Sequence, residues 1–361
     1  MAYIKAVGLV RVGRYFDRSY KDLALEAIEK ALSDGGRPGY VVVSSMMAES
    51  ALKQLDIGSV LTEWLGMTPV PAIRVEAGEN SGLAAVEVGA AIAEATGKEV
   101  LVVGVEKGTE YPTTKTYGDY SHILEWETET VRNVRPPDLA ALAMEEYMRR
   151  YGVSREELTA WPVKMHRNAA RVPHAQLRFE IRADAVPAAT KISGSLTLLD
   201  IFPIGDGAAA ILVSKERGDS PIQVAGAYAS TGLRYYLRDD PLHLAATAEA
   251  LQKALKLTGG EQAIEIHDSY SIYAYLILES AGLAPKGRAP AEVDGMEWVN
   301  VSGGLKARGH PFGATGVYQV AELFTLMTDG LGGRTYTGEW GVAHGMSGHD
   351  GNARVVVLRR V

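Results

Sequence analysis

Hydrophobic positions along this 361-residue chain alternate between short apolar runs and stretches of helical spacing. Residues 4–10 form an apolar run, and in 20–32 Leu23, Leu25, Ile28 and Leu32 recur at helical intervals. Residues 40–45, Tyr-Val-Val-Val-Ser-Ser, read as a buried strand. Residues 82–96, rich in alanine and other small residues, read as a buried helix, and 100–105 as another strand. Apolar runs alternating with helices predict a parallel sheet covered by helices, an α/β fold.

The pattern changes over residues 111–194, where aromatic, charged and proline residues surround one helical stretch at 137–151. This predicts an inserted loop subdomain. Strand character returns at 206–213, and a second cycle follows: strand 222–228, helix 242–257, strand 263–267, helix 272–281, buried helix 313–329 and closing strand 353–358. Two such cycles predict a duplicated core, with residues 1–216 as one half and 217–361 as the other.

The charge balance, 37 Lys and Arg against 44 Asp and Glu, gives a net −7, which argues against a general nucleic-acid binder. No apolar run reaches the length of a membrane span, and Met1-Ala2-Tyr3-Ile4-Lys5 lacks a signal-peptide pattern. The expected location is the cytoplasm, with no membrane partner. The chain contains no cysteine, which excludes disulfides, thiolate metal sites and a cysteine nucleophile. Its histidines lack zinc-ligand spacing, so no metal site and no tightly bound cofactor are expected.

Four segments carry candidate chemistry: residues 74–85 (with Glu79-Asn80-Ser81-Gly82) followed by 102–107, residues 198–209 (Leu198-Leu199-Asp200-Ile201-Phe202-Pro203-Ile204-Gly205-Asp206-Gly207-Ala208-Ala209), His267-Asp268-Ser269-Tyr270-Ser271, and residues 300–316 (with Gly303-Gly304 and Gly309-His310-Pro311). In order and spacing they resemble the thiolase superfamily, most closely its archaeal and sterol-carrier-protein-2 types. The resemblance implies the thiolase fold: duplicated α/β halves in a five-layer α-β-α-β-α arrangement, with an inserted loop domain that binds coenzyme A. It also implies a homodimer or tetramer acting on acyl-CoA, with coenzyme A as part of the substrate.

In that family a cysteine at the start of a buried helix accepts the acyl group. Alignment through Ser81-Gly82 puts Glu79 there, and a carboxylate is a poor acyl acceptor because a mixed anhydride is short-lived. Glu79 then reads either as a base or acyl-site occupant, or as a carboxylate capping the following helix. His310 matches the family histidine that holds the thioester oxygen, and His267 matches the sterol-carrier-type residue completing that oxyanion hole. Tyr270 stands where the family usually has phenylalanine, and adds either a donor or core packing. Residues 343–351 read as a turn in which His344, His349 and Asp350 can form an acid/base set or a polar surface turn. Gly303 and Gly304 are expected to permit close helix and loop packing beside the substrate, and do not form a phosphate-binding fingerprint. Lys164, Arg167 and Arg171 either meet the phosphates of coenzyme A or form a solvated basic surface.

Three functional readings follow. The first is enolate-type carbon–carbon bond formation or cleavage (aldol or retro-aldol) without a cysteine acyl-enzyme. The second is a catalytically degenerate subunit with a binding or assembly role, for which the resemblance implies an OB-fold zinc-ribbon protein and a synthase as partners. The third is an acetyl-CoA C-acyltransferase by family assignment.

Overall fold

The computed structural model describes residues 1–33, 35–259 and 261–361. Among the described residues the main sheet has nine strands: β1 (Ala2–Leu9), β2 (Tyr40–Ser44), β3 (Ala72–Val75), β4 (Val100–Glu106), β5 (Gly207–Ser214), β6 (Ile222–Thr231), β7 (Gln262–Glu265), β8 (Trp340–Ser347) and β9 (Asn352–Arg360). Their order across the sheet is β3-β2-β4-β5-β1-β6-β9-β8-β7. The first half, β3-β2-β4-β5-β1, pairs parallel, parallel, antiparallel, antiparallel. In the second half β7 pairs parallel with β8, β8 antiparallel with β9, and β9 antiparallel with β6. A parallel bridge from Ile264 to Val299 stands where the first half has β3. The two halves therefore repeat one topology, and they meet edge to edge only where Ala2 and Tyr3 pair with Val224 and Gln223.

The long apolar runs are explained by burial on both faces. In β2 and β4, Val41, Val43, Leu101 and Val103 pack into one core while Val42, Val100 and Val102 pack into the other. The first core is closed by α1 (Tyr20–Ala31) and α2 (Ile57–Trp64), whose buried faces include Leu23, Ile28, Ile57 and Leu61. The inserted region carries α4 (Thr113–Tyr120), α5 (Pro136–Tyr151) and α6 (Ala160–Ala169). Beyond the second half lie α7 (Ala245–Thr258), packed on β6 and β9, and the wholly buried α8 (Ser271–Ser280).

Between the two halves of the sheet run α3 (Ser81–Thr96) and α9 (Thr315–Thr328), each touching strands of both halves and each other. The layers are thus helix, sheet, paired helices, sheet, helix. Small residues allow this middle layer. A Cβ on Gly82 would stand 2.7 Å from the backbone nitrogens of Gly316 and Val317, and one on Gly316 would strike Leu83 N. The helices cross backbone to backbone.

The structure differs from the sequence reading in several elements. The sheet is mixed and not parallel, with five antiparallel and three parallel pairings, and α2, β3, α4 and α6 have no counterpart in that reading. Residues 343–347 belong to strand β8, not to a turn, and the turn occupies only the short link to β9. The glycines that suggested a turn serve packing: a Cβ on Gly345 would run into Asn80 Oδ1. Among the described residues no helix is long and apolar enough to cross a membrane.

Gly82→Ala should lower stability by about 1–3 kcal/mol, the usual cost of forcing an extra methyl into a filled site. Urea-unfolding midpoints of the two proteins measure this, and an unchanged midpoint would contradict the backbone-to-backbone crossing.

Candidate active site

Glu79 precedes α3 by two residues and His310 precedes α9 by five, so the helix crossing brings both to one point. His267 follows the end of β7. Glu79 Oε1 lies 3.2 Å from His267 Nε2, 3.2 Å from His310 Nε2, and accepts a hydrogen bond from the Tyr120 hydroxyl at 2.9 Å. All four side chains are at most 4% exposed. His310 Nδ1 sits 2.7 Å from Thr315 Oγ1. If the Thr315 hydroxyl donates there, the Nε2–H tautomer donates to Glu79.

The second segment seen in the sequence threads through this centre. Ile204 bridges His310 and Ile201 bridges Tyr270, so Phe202 lies between them. The Phe202 ring packs edge-on against His310 at 4.7 Å and against Tyr120 at 5.4 Å. All four candidate segments therefore meet around one carboxylate.

Burial alone would raise the proton affinity of Glu79, but the bonds and positive potential from His267 and His310 outweigh it and hold the carboxyl well below its ordinary range. Burial meanwhile pushes His310 down to about 4. Three N–H or O–H donors and the positive end of α3 act on the anion. Tyr120 is held protonated, by burial first and then by the adjacent carboxylate. The Glu79, His267 and His310 ligand atoms lie within 4.8 Å of one another, a set that can hold a metal ion although no sequence spacing suggested one. In this arrangement those atoms are bonded to each other.

The other candidates fall elsewhere. Glu79 does not cap α3, whose N-terminus has no side-chain cap bond among the described residues. His344, on β8, faces Thr247 Oγ1 at 3.2 Å and accepts weakly from His267 N at 3.4 Å, one residue removed from the carboxylate. Asp350 accepts from Ala246 N and Thr247 N at 2.9 and 2.8 Å, so it caps α7 and is engaged as structure. His349 pairs with the Tyr273 hydroxyl; this stretch is buried, not a surface turn. The Tyr270 ring packs on Phe202, and its hydroxyl is buried without a partner among the described residues.

Gly303 and Gly304 have φ of 96° and 60° and open a π-helical turn, Gly304–Arg308, that delivers His310; a Cβ at either would strike Ala169 or Asp268. Their role is close packing. Lys164 is 2% exposed with its ammonium on the carbonyls of Val293 and Met296, so it is neither a surface cation nor placed for phosphate. Arg167 pairs with Asp294 at the surface, and Arg171 is exposed.

The residue the sequence reading missed is Tyr120, which sits in the insertion outside every motif. A cavity of about 1080 Å³ opens in the same region, with Tyr117 and Phe202 on its inner wall and Arg14, Arg135 and Lys191 among its polar lining. A smaller cavity of about 380 Å³ reaches Gly78 and Ser347 and shares His122 with the large one.

Buried neutral histidines set the acid response. Burial lowers His310 and His166 to about 4 and His344 and His349 to about 3, all below the unfolded value of 6.5. The unfolded chain then binds more protons, so stability should fall as pH drops from about 6.5 toward 4. Glu79 has the depressed folded value of an anion, and its contribution is lost only below its ordinary 4.5. Guanidinium midpoints measured from pH 8 to 4 should decline through this window in wild type and in Glu79→Gln alike; a flat profile would contradict the assignment.

Residues 5–183 match the family described as thiolase, N-terminal domain, and residues 227–360 match thiolase C-terminal domain-like. The acetyl-CoA acetyltransferase of Methanothermobacter thermautotrophicus is 35% identical over 381 aligned residues, covering 98% of each chain. Sterol carrier protein 2 of Gallus gallus is 27% identical, over 93% of this chain and 67% of its own. A solved structure described as Ltp2-ChsH2(DUF35) aldolase shares the fold, with a TM-score of 0.77 at 21% identity over 99% of this chain and 97% of that one. With both halves matched and a 35% identical relative spanning nearly its full length, this chain belongs to the thiolase family.

Proposed function

We propose that this protein forms or cleaves a carbon–carbon bond in an acyl-CoA thioester through an enolate, without acyl transfer to the protein. The observation that carries this reading is the convergence of His267, His310 and Tyr120 on the Glu79 carboxylate. Two imidazole N–H groups aimed at one oxygen suit an enolate oxygen as well as a carboxylate. An acyl-CoA entering by the large cavity would lay its thioester oxygen on these donors, with Arg14 and Lys191 available to its phosphates.

The exchange of acceptors would activate Glu79. Once the histidines turn to the thioester oxygen, the carboxylate loses the bonds that depress its proton affinity, and burial then makes it a stronger base. In the cleavage direction Glu79 takes the β-hydroxyl proton, the Cα–Cβ bond breaks, an aldehyde or ketone leaves, and the electron pair becomes the enolate. The proton finally returns to Cα. The aldolase named in the structural comparison supports such chemistry on this fold.

One observation favours a second reading: Glu79 itself fills the oxyanion position, as a subunit retained for binding or assembly, beside an OB-fold zinc-ribbon protein and a synthase, would allow. A single assay separates the two. A β-hydroxyacyl-CoA panel should yield a carbonyl product and a shorter CoA ester, while acetyl-CoA gives no acetoacetyl-CoA. His310→Ala should reduce cleavage by about 100-fold or more. Equal inertness of wild type and His310→Ala across the panel would rule out the enzyme reading.

A further inference from the structure

Tyr120 belongs to none of the segments that carry the family resemblance, yet its hydroxyl is the third group on Glu79. It ends α4, in the inserted region, whereas both histidines come from the second half. Its ring is wedged between Phe202 and Phe312 at 5.4 Å each, and Tyr117, one helical turn earlier, packs against it at 6.4 Å. Tyr117 and Phe202 line the large cavity. Tyr120 therefore lies behind two residues of the cavity wall, between them and the buried carboxylate.

Resting on the aldol reading above, we propose that Tyr120 is the catalytic acid that protonates Cα of the enolate and is reprotonated by Glu79. As the O–H bond of Tyr120 breaks and the Cα–H bond forms, the phenol oxygen takes the proton that Glu79 removed from the β-hydroxyl. The sum moves one proton from substrate oxygen to substrate carbon and returns both residues to their starting states. A relay suits the site, because a free phenolate beside a buried carboxylate would be strongly disfavoured and the 2.9 Å bond lets the two transfers occur together.

A merely positioning Tyr120 would orient Glu79 and leave carbon protonation to another group. Deuterium exchange at Cα of the short acyl-CoA product, incubated alone with the full chain in D2O, distinguishes these roles, since it requires proton transfer at carbon and no bond cleavage. Tyr120→Phe keeps the ring in its wedge and removes one oxygen. Exchange should fall by about 100-fold or more, with acyl-CoA affinity by calorimetry close to wild type and the thermal midpoint lowered only by the loss of one hydrogen bond to the carboxylate. Exchange in Tyr120→Phe within about threefold of wild type, while wild type still cleaves β-hydroxyacyl-CoA, would overturn the role of Tyr120 and leave the aldol reading standing. Wild type that neither exchanges nor cleaves would overturn that reading, and this inference with it. Should Tyr120→Phe fail to fold, a fluorinated tyrosine introduced at position 120, of nearly the same shape but more acidic, takes its place. An exchange rate unchanged by the fluorine would equally overturn the proposal.

Discussion

The backbone contact between Gly82 and Gly316 is the constraint on which the rest of this molecule hangs. It lets α3 and α9 lie together as one layer between two halves of a sheet, and it brings the segments before their N-termini side by side. Glu79 and His310 are neighbours for that reason, although 231 residues separate them in sequence. A side chain at either glycine would push the helices apart and open the carboxylate–imidazole pair along with the core. Packing and chemistry depend on the same two residues.

That geometry also explains how a carboxylate can be tolerated at this buried point. An isolated buried carboxylate is expensive. This one is surrounded by donors from three parts of the chain and lies before the positive end of α3, so it remains anionic despite complete burial. The arrangement resembles a bound oxyanion, supplied by the protein itself. Its stability rests on those partners.

Much of this was legible in the sequence, and the exceptions have physical causes. The central strands were readable because two-sided burial leaves long apolar runs, as in Val41-Val42-Val43 and Leu101-Val102-Val103, whereas the short edge strand β3 and helix α2 carry no such run. Glu79 and His310 stood out because glycine-rich segments surround them, and His267 because its segment matched the family resemblance in order and spacing. Tyr120 did not, since its neighbours are ordinary aromatic and polar residues and only the fold of the insertion carries it inward. Residues 343–347 were misread because glycines demanded by close packing look like glycines demanded by a turn. Asp350 and Lys164 show that charge alone does not reveal function: one carboxylate caps a helix, and one ammonium closes a loop on two carbonyls.

The bonds on Glu79 reach 41, 188 and 231 residues along the chain, to the insertion and to two separate parts of the second half. Contacts of such span close only after long loops have been ordered, which places them late in folding. A nascent or truncated chain holding only the first half would own the carboxylate but none of the imidazoles that steady it. The reactive centre thus doubles as a record of completed assembly: it exists only when the first half, the insertion and the second half have all docked.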